Sequence, residues 1–137
     1  MAQQRISIEA TLDTEDDTFA ISQEVEFQNT SETALSEIYF NDWPNSFSTK
    51  TSELAKRFAE NFSSSFHFEK EEDRGRTDLF SIATNGIPLE WKREAADIIK
   101  VSLKNPLPPG ETVTISLIYK VKVPDAKFTR YGVTSQK

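Results

Sequence analysis

The longest regular feature of the chain is an alternation in which every second residue is apolar. Val113, Ile115, Leu117, Tyr119, Val121 and Val123 share one face, and Pro124 then stops the run. Only an extended strand puts such positions on one side, so this stretch constrains the fold more than any other. The same period recurs upstream. Ile6, Ile8, Ala10 and Leu12 alternate with polar residues, Asp13 to Asp17 supply a turn, and Phe19, Ile21, Val25 and Phe27 alternate again. That pattern predicts a hairpin with one wet and one dry face.

Further strands follow from the same rule. Leu35 to Phe40 alternate until Asn41-Asp42-Trp43-Pro44-Asn45 breaks the ladder. Leu79 to Ala83 and Ile87 to Trp91 flank Asn85-Gly86, a dipeptide suited to a type I′ turn. Ile99, Val101 and Leu103 lead into the rigid connection Asn105-Pro106-Leu107-Pro108-Pro109-Gly110. Seven or eight short strands separated by turns predict an all-β fold, an antiparallel β-sandwich. One segment departs from it. Leu54, Phe58 and Phe62 recur at spacing four, with Thr51 or Ser52 available as N-cap, so a short amphipathic helix is expected near residues 51–62, closing one end of the sandwich.

A chain of 137 residues suits a single domain over 1–137. Its net charge, 16 − 22 = −6 with acids and bases interleaved, disfavours nucleic acid as a partner, since phosphate binding needs a concentrated basic face. The absence of cysteine excludes disulfides, thiolate nucleophiles and Cys-ligated zinc. No apolar run approaches the roughly 20 residues of a transmembrane segment. The start Met1-Ala2-Gln3-Gln4 has the look of residues left around a signal-peptidase cut, and on that basis an exported protein, periplasmic or associated with the cell surface, is expected.

The one histidine, His67, lies in Phe66-His67-Phe68-Glu69-Lys70-Glu71-Glu72-Asp73-Arg74-Gly75. Read as an extended segment, this run puts Phe66 and Phe68 on one face and His67 and Glu69 on the other. A zinc site needs three or four ligands with fixed supporting groups, and one His before a turn-like acidic run does not supply them. His67 is therefore expected to be a surface strand residue, with the charges solvated and Gly75 permitting a tight turn. A lone His excludes an HExxH site, and no Gly-x-Ser-x-Gly elbow or glycine-rich phosphate loop is present among four glycines. No catalytic, cofactor-binding or metal residue is assigned. Asn29-Thr30-Ser31 and Asn61-Phe62-Ser63 match the N-glycosylation pattern, which arises often by chance. Trp43 and Trp91 are expected in the core rather than in a ligand-stacking platform.

Four stretches, in order, resemble the N-terminal domain of aminopeptidase N-like zinc metallopeptidases (gluzincin clan), particularly Bacteroidetes forms. They are Ile38 to Phe47, then Lys50 to Phe58 with Phe68 to Gly75, then Leu103-Lys104-Asn105-Pro106-Leu107-Pro108-Pro109-Gly110-Glu111, and finally Val123-Pro124 with Phe128-Thr129-Arg130-Tyr131-Gly132. The resemblance implies a saddle-like sandwich, non-catalytic in itself, excised from a longer peptidase whose catalytic domain follows. It implies further that the chain's partner is that catalytic domain, that zinc binds there and not here, and that the parent acts on peptides. The candidate docking residues are Phe128, Arg130, Tyr131 and Val133, which either meet the catalytic domain or fold back as a further edge strand. The alternative reading is a free-standing extracellular binding module for a carbohydrate or protein ligand.

Overall fold

The computed structural model describes residues 4–134, so the Met1-Ala2-Gln3 start of the export motif lies outside the described residues. The elements run β1 (Arg5–Asp13), β2 (Thr18–Gln28), β3 (Leu35–Asn41), a 3-10 turn (Trp43–Phe47), α1 (Glu53–Glu60), α2 (Ser65–Phe68), a 3-10 turn (Glu71–Asp73), β4 (Arg76–Thr84), β5 (Ile87–Pro88), β6 (Glu90–Ala95), β7 (Ile98–Leu107) and β8 (Thr112–Lys122). The strands form two antiparallel sheets, one of five strands in the order β1-β2-β8-β4-β5 and one of three in the order β3-β7-β6. This is the all-β sandwich-like fold that the alternation predicts.

The longest alternation lies at the centre of the larger sheet. Strand β8 pairs with β2 without a break from Thr18–Lys122 to Gln28–Thr112, and with β4 on its other side. Ile115, Leu117 and Val121 are buried, and the first two meet Val25, Ile38, Ile82, Leu89, Ile99 and Val101 between the sheets. Asn85 and Gly86 both take positive φ, 49° and 75°, as a type I′ turn requires. The expected strand Ile87 to Trp91 divides at Leu89. Residues before it pair in the large sheet and those after it in the small one, while buried Leu89 donates its N–H to the Ile82 carbonyl.

Helix α1 is shorter than the expected 51–62. Ser52 is its N-cap, its hydroxyl accepting from Ala55 N at 3.1 Å and donating to Ser46 O at 2.6 Å. Phe62 lies beyond the helix with φ 58° and 97% exposure, so the buried stripe is Leu54, Ala55 and Phe58 instead. These pack with Phe47 and Phe66 into a second, aromatic cluster at one end of the sandwich.

The dry face expected for the first hairpin is only half covered. Ile6, Ile8 and Leu12 pair with Val25, Gln23 and Phe19 and so share the inner face, yet they are 56%, 55% and 53% exposed. The physical reason is the mismatch of five strands against three. Strand β1 overhangs the smaller sheet.

Candidate functional site

The Phe66–Gly75 run is not extended. Residues Ser65–Phe68 form a helical turn, which buries Phe66 in the aromatic cluster and leaves His67 and Phe68 exposed. A spacing of two separates Phe66 from Phe68 by about 200° on a helix, which is why they part company. Glu69 faces Lys127 Nζ at 3.6 Å, and Glu71–Asp73 turn outward as a 3-10 turn. Among the described residues no three His, Asp or Glu side chains stand close enough to hold a metal ion.

Arg74, which reads as one more charge of that run, is almost wholly buried. Its Nη2 donates to the carbonyl oxygens of Phe66 at 2.6 Å and Glu69 at 3.1 Å, and its guanidinium lies 4.6 Å over the Phe66 ring. The cation thus ties α2 and the following loop into one unit by satisfying carbonyls at the helix end. Gly75 serves close approach rather than a turn. A Cβ there would lie 2.7 Å from Pro124 Cδ.

The candidate docking residues follow Pro124 back across this cluster. Phe128 packs on Phe66 with ring centroids 5.1 Å apart, and Tyr131 packs on Phe47 at 5.4 Å and on Trp43 at 5.0 Å. Both are half-buried. Arg130 is exposed, and Val133 makes one isolated parallel bridge with Asp125, short of a strand. Gly132 enables this fold-back, since its φ is 153° and a Cβ would collide with the Ala126 backbone.

Trp43 and Trp91 are not core residues. Trp43 is capped on one side by Phe47 and Tyr131 and otherwise faces solvent, and Trp91 sits on edge strand β6. Asn29 of the first glycosylation triplet is fully buried, with its amide donating to the carbonyls of Thr33 and Leu107 at 2.8 Å each. A glycan has no access there. Asn61, in the second triplet, is exposed at the C-cap of α1.

The feature that sequence reasoning missed is a polar joint between the two sheets, at the edge of an apolar cleft. Buried Asp42, just past β3, accepts from the Thr77 hydroxyl of β4 at 2.6 Å and holds Arg93 Nη1 of β6 at 2.9 Å. Asn45 completes it, accepting from Thr77 N at 3.0 Å and donating to Ala96 O at 2.6 Å. The cleft above, about 290 Å³, is lined by Phe19, Ile21, Leu79, Leu117, Tyr119 and Tyr131. Burial, and then the Asp42 charge, pushes the Tyr119 and Tyr131 phenols above their ordinary range. The arrangement locks strands of both sheets and keeps two phenols protonated. The Thr77 hydroxyl and the Asp42 carboxylate are both buried within this joint.

No family model and no curated protein matches the chain. Solved structures do. An M1 zinc metallopeptidase from Deinococcus radiodurans aligns at 16% identity and TM-score 0.53, over 86% of this chain and 19% of that one. A variant of it bound to a Tyr-Ser-Ala substrate gives 15% identity and TM-score 0.54 over the same shares. A two-domain M1 zinc metallopeptidase variant bound to L-arginine aligns at 16% identity and TM-score 0.55, over 96% of this chain and 23% of that one. The chain therefore has the fold of a β-rich part of M1 zinc metallopeptidases. It spans about a fifth of the length of these structures.

Proposed function

We propose that this chain is the non-catalytic N-terminal sandwich domain of an aminopeptidase-like zinc metallopeptidase, packing against the catalytic domain and helping to shape its substrate cleft. The observation that carries the reading is the alignment of nearly the whole chain with a small share of the M1 structures. Exposed Phe62 and Phe68, beside the aromatic cluster, supply the kind of surface that a neighbouring domain covers. In this reading zinc and the hydrolytic water belong to the catalytic domain, peptides are the parent's substrates, and the parent is exported. Phe128, Arg130, Tyr131 and Val133 are the docking residues, presented on the fold-back over the aromatic cluster. The described residues contain no helix long and apolar enough to cross a membrane.

Two measurements test this. The reading frame beyond residue 137 should encode an HExxH with a downstream glutamate, and a stop codon directly after Lys137 would overturn the proposal. The 137-residue chain should release no amino acid from aminoacyl reporter substrates, with or without zinc. Turnover well above a His67→Ala control would show a hydrolase in its own right.

A further inference from the structure

We propose that β1 is a self-association surface, through which two copies of this chain pair their edge strands antiparallel about a twofold axis at Glu9. The inference is carried by the geometry of β1 alone and does not depend on the peptidase reading.

Strand β1 is the outermost strand of the large sheet, and its pairing with β2 is uninterrupted from Arg5–Glu26 to Asp13–Thr18. Among the described residues no strand pairs with its other edge, so backbone donors and acceptors face outward along nine residues, about 30 Å of strand. Natural edge strands are blunted by proline, a bulge or an inward-pointing charge. Here the inward positions are Ile6, Ile8, Ala10 and Leu12, and the charges Arg5, Glu9 and Asp13 all take the outer face. Strand β1 has no proline, bulge or inward charge, and its outward charges Arg5, Glu9 and Asp13 are the one protection it carries.

A second copy fits because β1 is self-complementary. Keeping apolar side chains on the inner face permits only registers that pair odd with odd and even with even positions. The register centred on Glu9 engages all nine residues. It sets Ile6 against Leu12 and Ile8 against Ala10 of the second copy, extending the inner apolar face across the joint. It also sets Arg5 against Asp13 at both ends, and Asp13 has an oxygen free because its Oδ1 alone accepts from Glu15 N and Asp16 N. One contact opposes this register, since Glu9 meets Glu9 of the second copy at the axis. An interface of two strands lies below the roughly 1,200 Å² of stable complexes, so the dimer is weak and reversible.

Sedimentation equilibrium of the 137-residue chain, from low micromolar to millimolar, is the test. A monomer–dimer equilibrium is expected, with Ile8→Lys shifting it to monomer and Glu9→Gln tightening it several-fold. Arg5→Glu and Asp13→Lys should each weaken it several-fold, and the two together should restore it, because the opposed signs are then exchanged. Circular dichroism on each variant checks that the half-exposed positions leave the fold intact. A single monomeric mass at every concentration would overturn the proposal. So would a dimer indifferent to Ile8→Lys and to the charge exchange, or one abolished by Phe62→Ser with Phe68→Ser, which would place the contact beside α1.

Discussion

Arg74 donates to the carbonyl oxygen of Phe66 at 2.6 Å while its guanidinium lies over that residue's own ring, so one side chain holds both the backbone and the aromatic face of α2. A four-residue helix has little stability of its own. The cation supplies what local propensity does not.

Arg74→Ala should therefore destabilise the chain by about 2–4 kcal/mol, because charged hydrogen bonds to buried carbonyls and the ring contact are lost together. Arg74→Lys should recover less than half of this, since a compact, strongly hydrated ammonium lacks the planar guanidinium that stacks on the Phe66 ring. Urea unfolding of the two variants beside the unsubstituted chain checks it. If Arg74→Lys left stability unchanged, charge alone would suffice at this position.

A second prediction concerns the central strand. Leu117 is buried between the sheets and Ser116 points the other way, so Leu117→Ala should cost about 2–5 kcal/mol and Ser116→Ala little. The midpoint of urea unfolding separates them. Equal losses would contradict the register of β8 against β2.

How much of this was legible in the sequence depends on how local each cause is. The strand β8 and the Asn85-Gly86 turn follow from neighbouring residues and could be read directly, whereas the cap could be narrowed only to Thr51 or Ser52. The exposure of Ile6, Ile8 and Leu12 could not, because it depends on the width of the opposite sheet. Phe66 and Phe68 misled for another reason: a spacing of two reads as a strand, and nothing local shows that a helical turn buries only the first of them. Arg74 and Asp42 sit among other charges and polar turn residues, and only tertiary contacts bury them. The segment Phe128 to Val133 stands out in the sequence, but the contacts of Tyr131 with Phe47 and of Phe128 with Phe66 do not.

The two cleft tyrosines make a prediction about pH. Burial raises the Tyr119 and Tyr131 phenols above the unfolded value of roughly 10, so the folded state holds their protons longer than the unfolded one. Their contribution is intact below that value and is lost as pH rises through the folded pKa. Stability should thus fall on the alkaline side, beginning near pH 10. Tyr119→Phe should flatten that limb, at a neutral-pH cost of about 1 kcal/mol for the hydrogen bond it donates to Gln23 Oε1 at 2.6 Å. Thermal melts from pH 7 to the alkaline limit would show it, and an unchanged alkaline slope would count against the burial of this phenol.

The last prediction bears on the C-terminal fold-back, which under the proposed function meets both the aromatic cluster and a neighbouring domain. In this structure Phe128 covers Phe58 and Phe66, and Tyr131 covers Phe47 and Trp43, so the rings already serve the chain's own aromatic cluster. Both remain half-buried, which leaves an outer face on each for a neighbouring domain. Phe128→Ser with Tyr131→Ser should lower the stability of the 137-residue chain by about 2–5 kcal/mol, less than two fully buried rings would cost. Arg130→Ser, on an exposed side chain, should change it by under about 0.5 kcal/mol, and Val133→Ser, which keeps its backbone bonds to Pro124 and Ala126, by about 1 kcal/mol. If the segment also docks on a catalytic domain, the Arg130 and Val133 substitutions placed in a longer parent chain should raise protease sensitivity at the junction while sparing the isolated domain. An unchanged melting temperature for the Phe128–Tyr131 pair would instead show that the fold-back contributes nothing to this domain's own core.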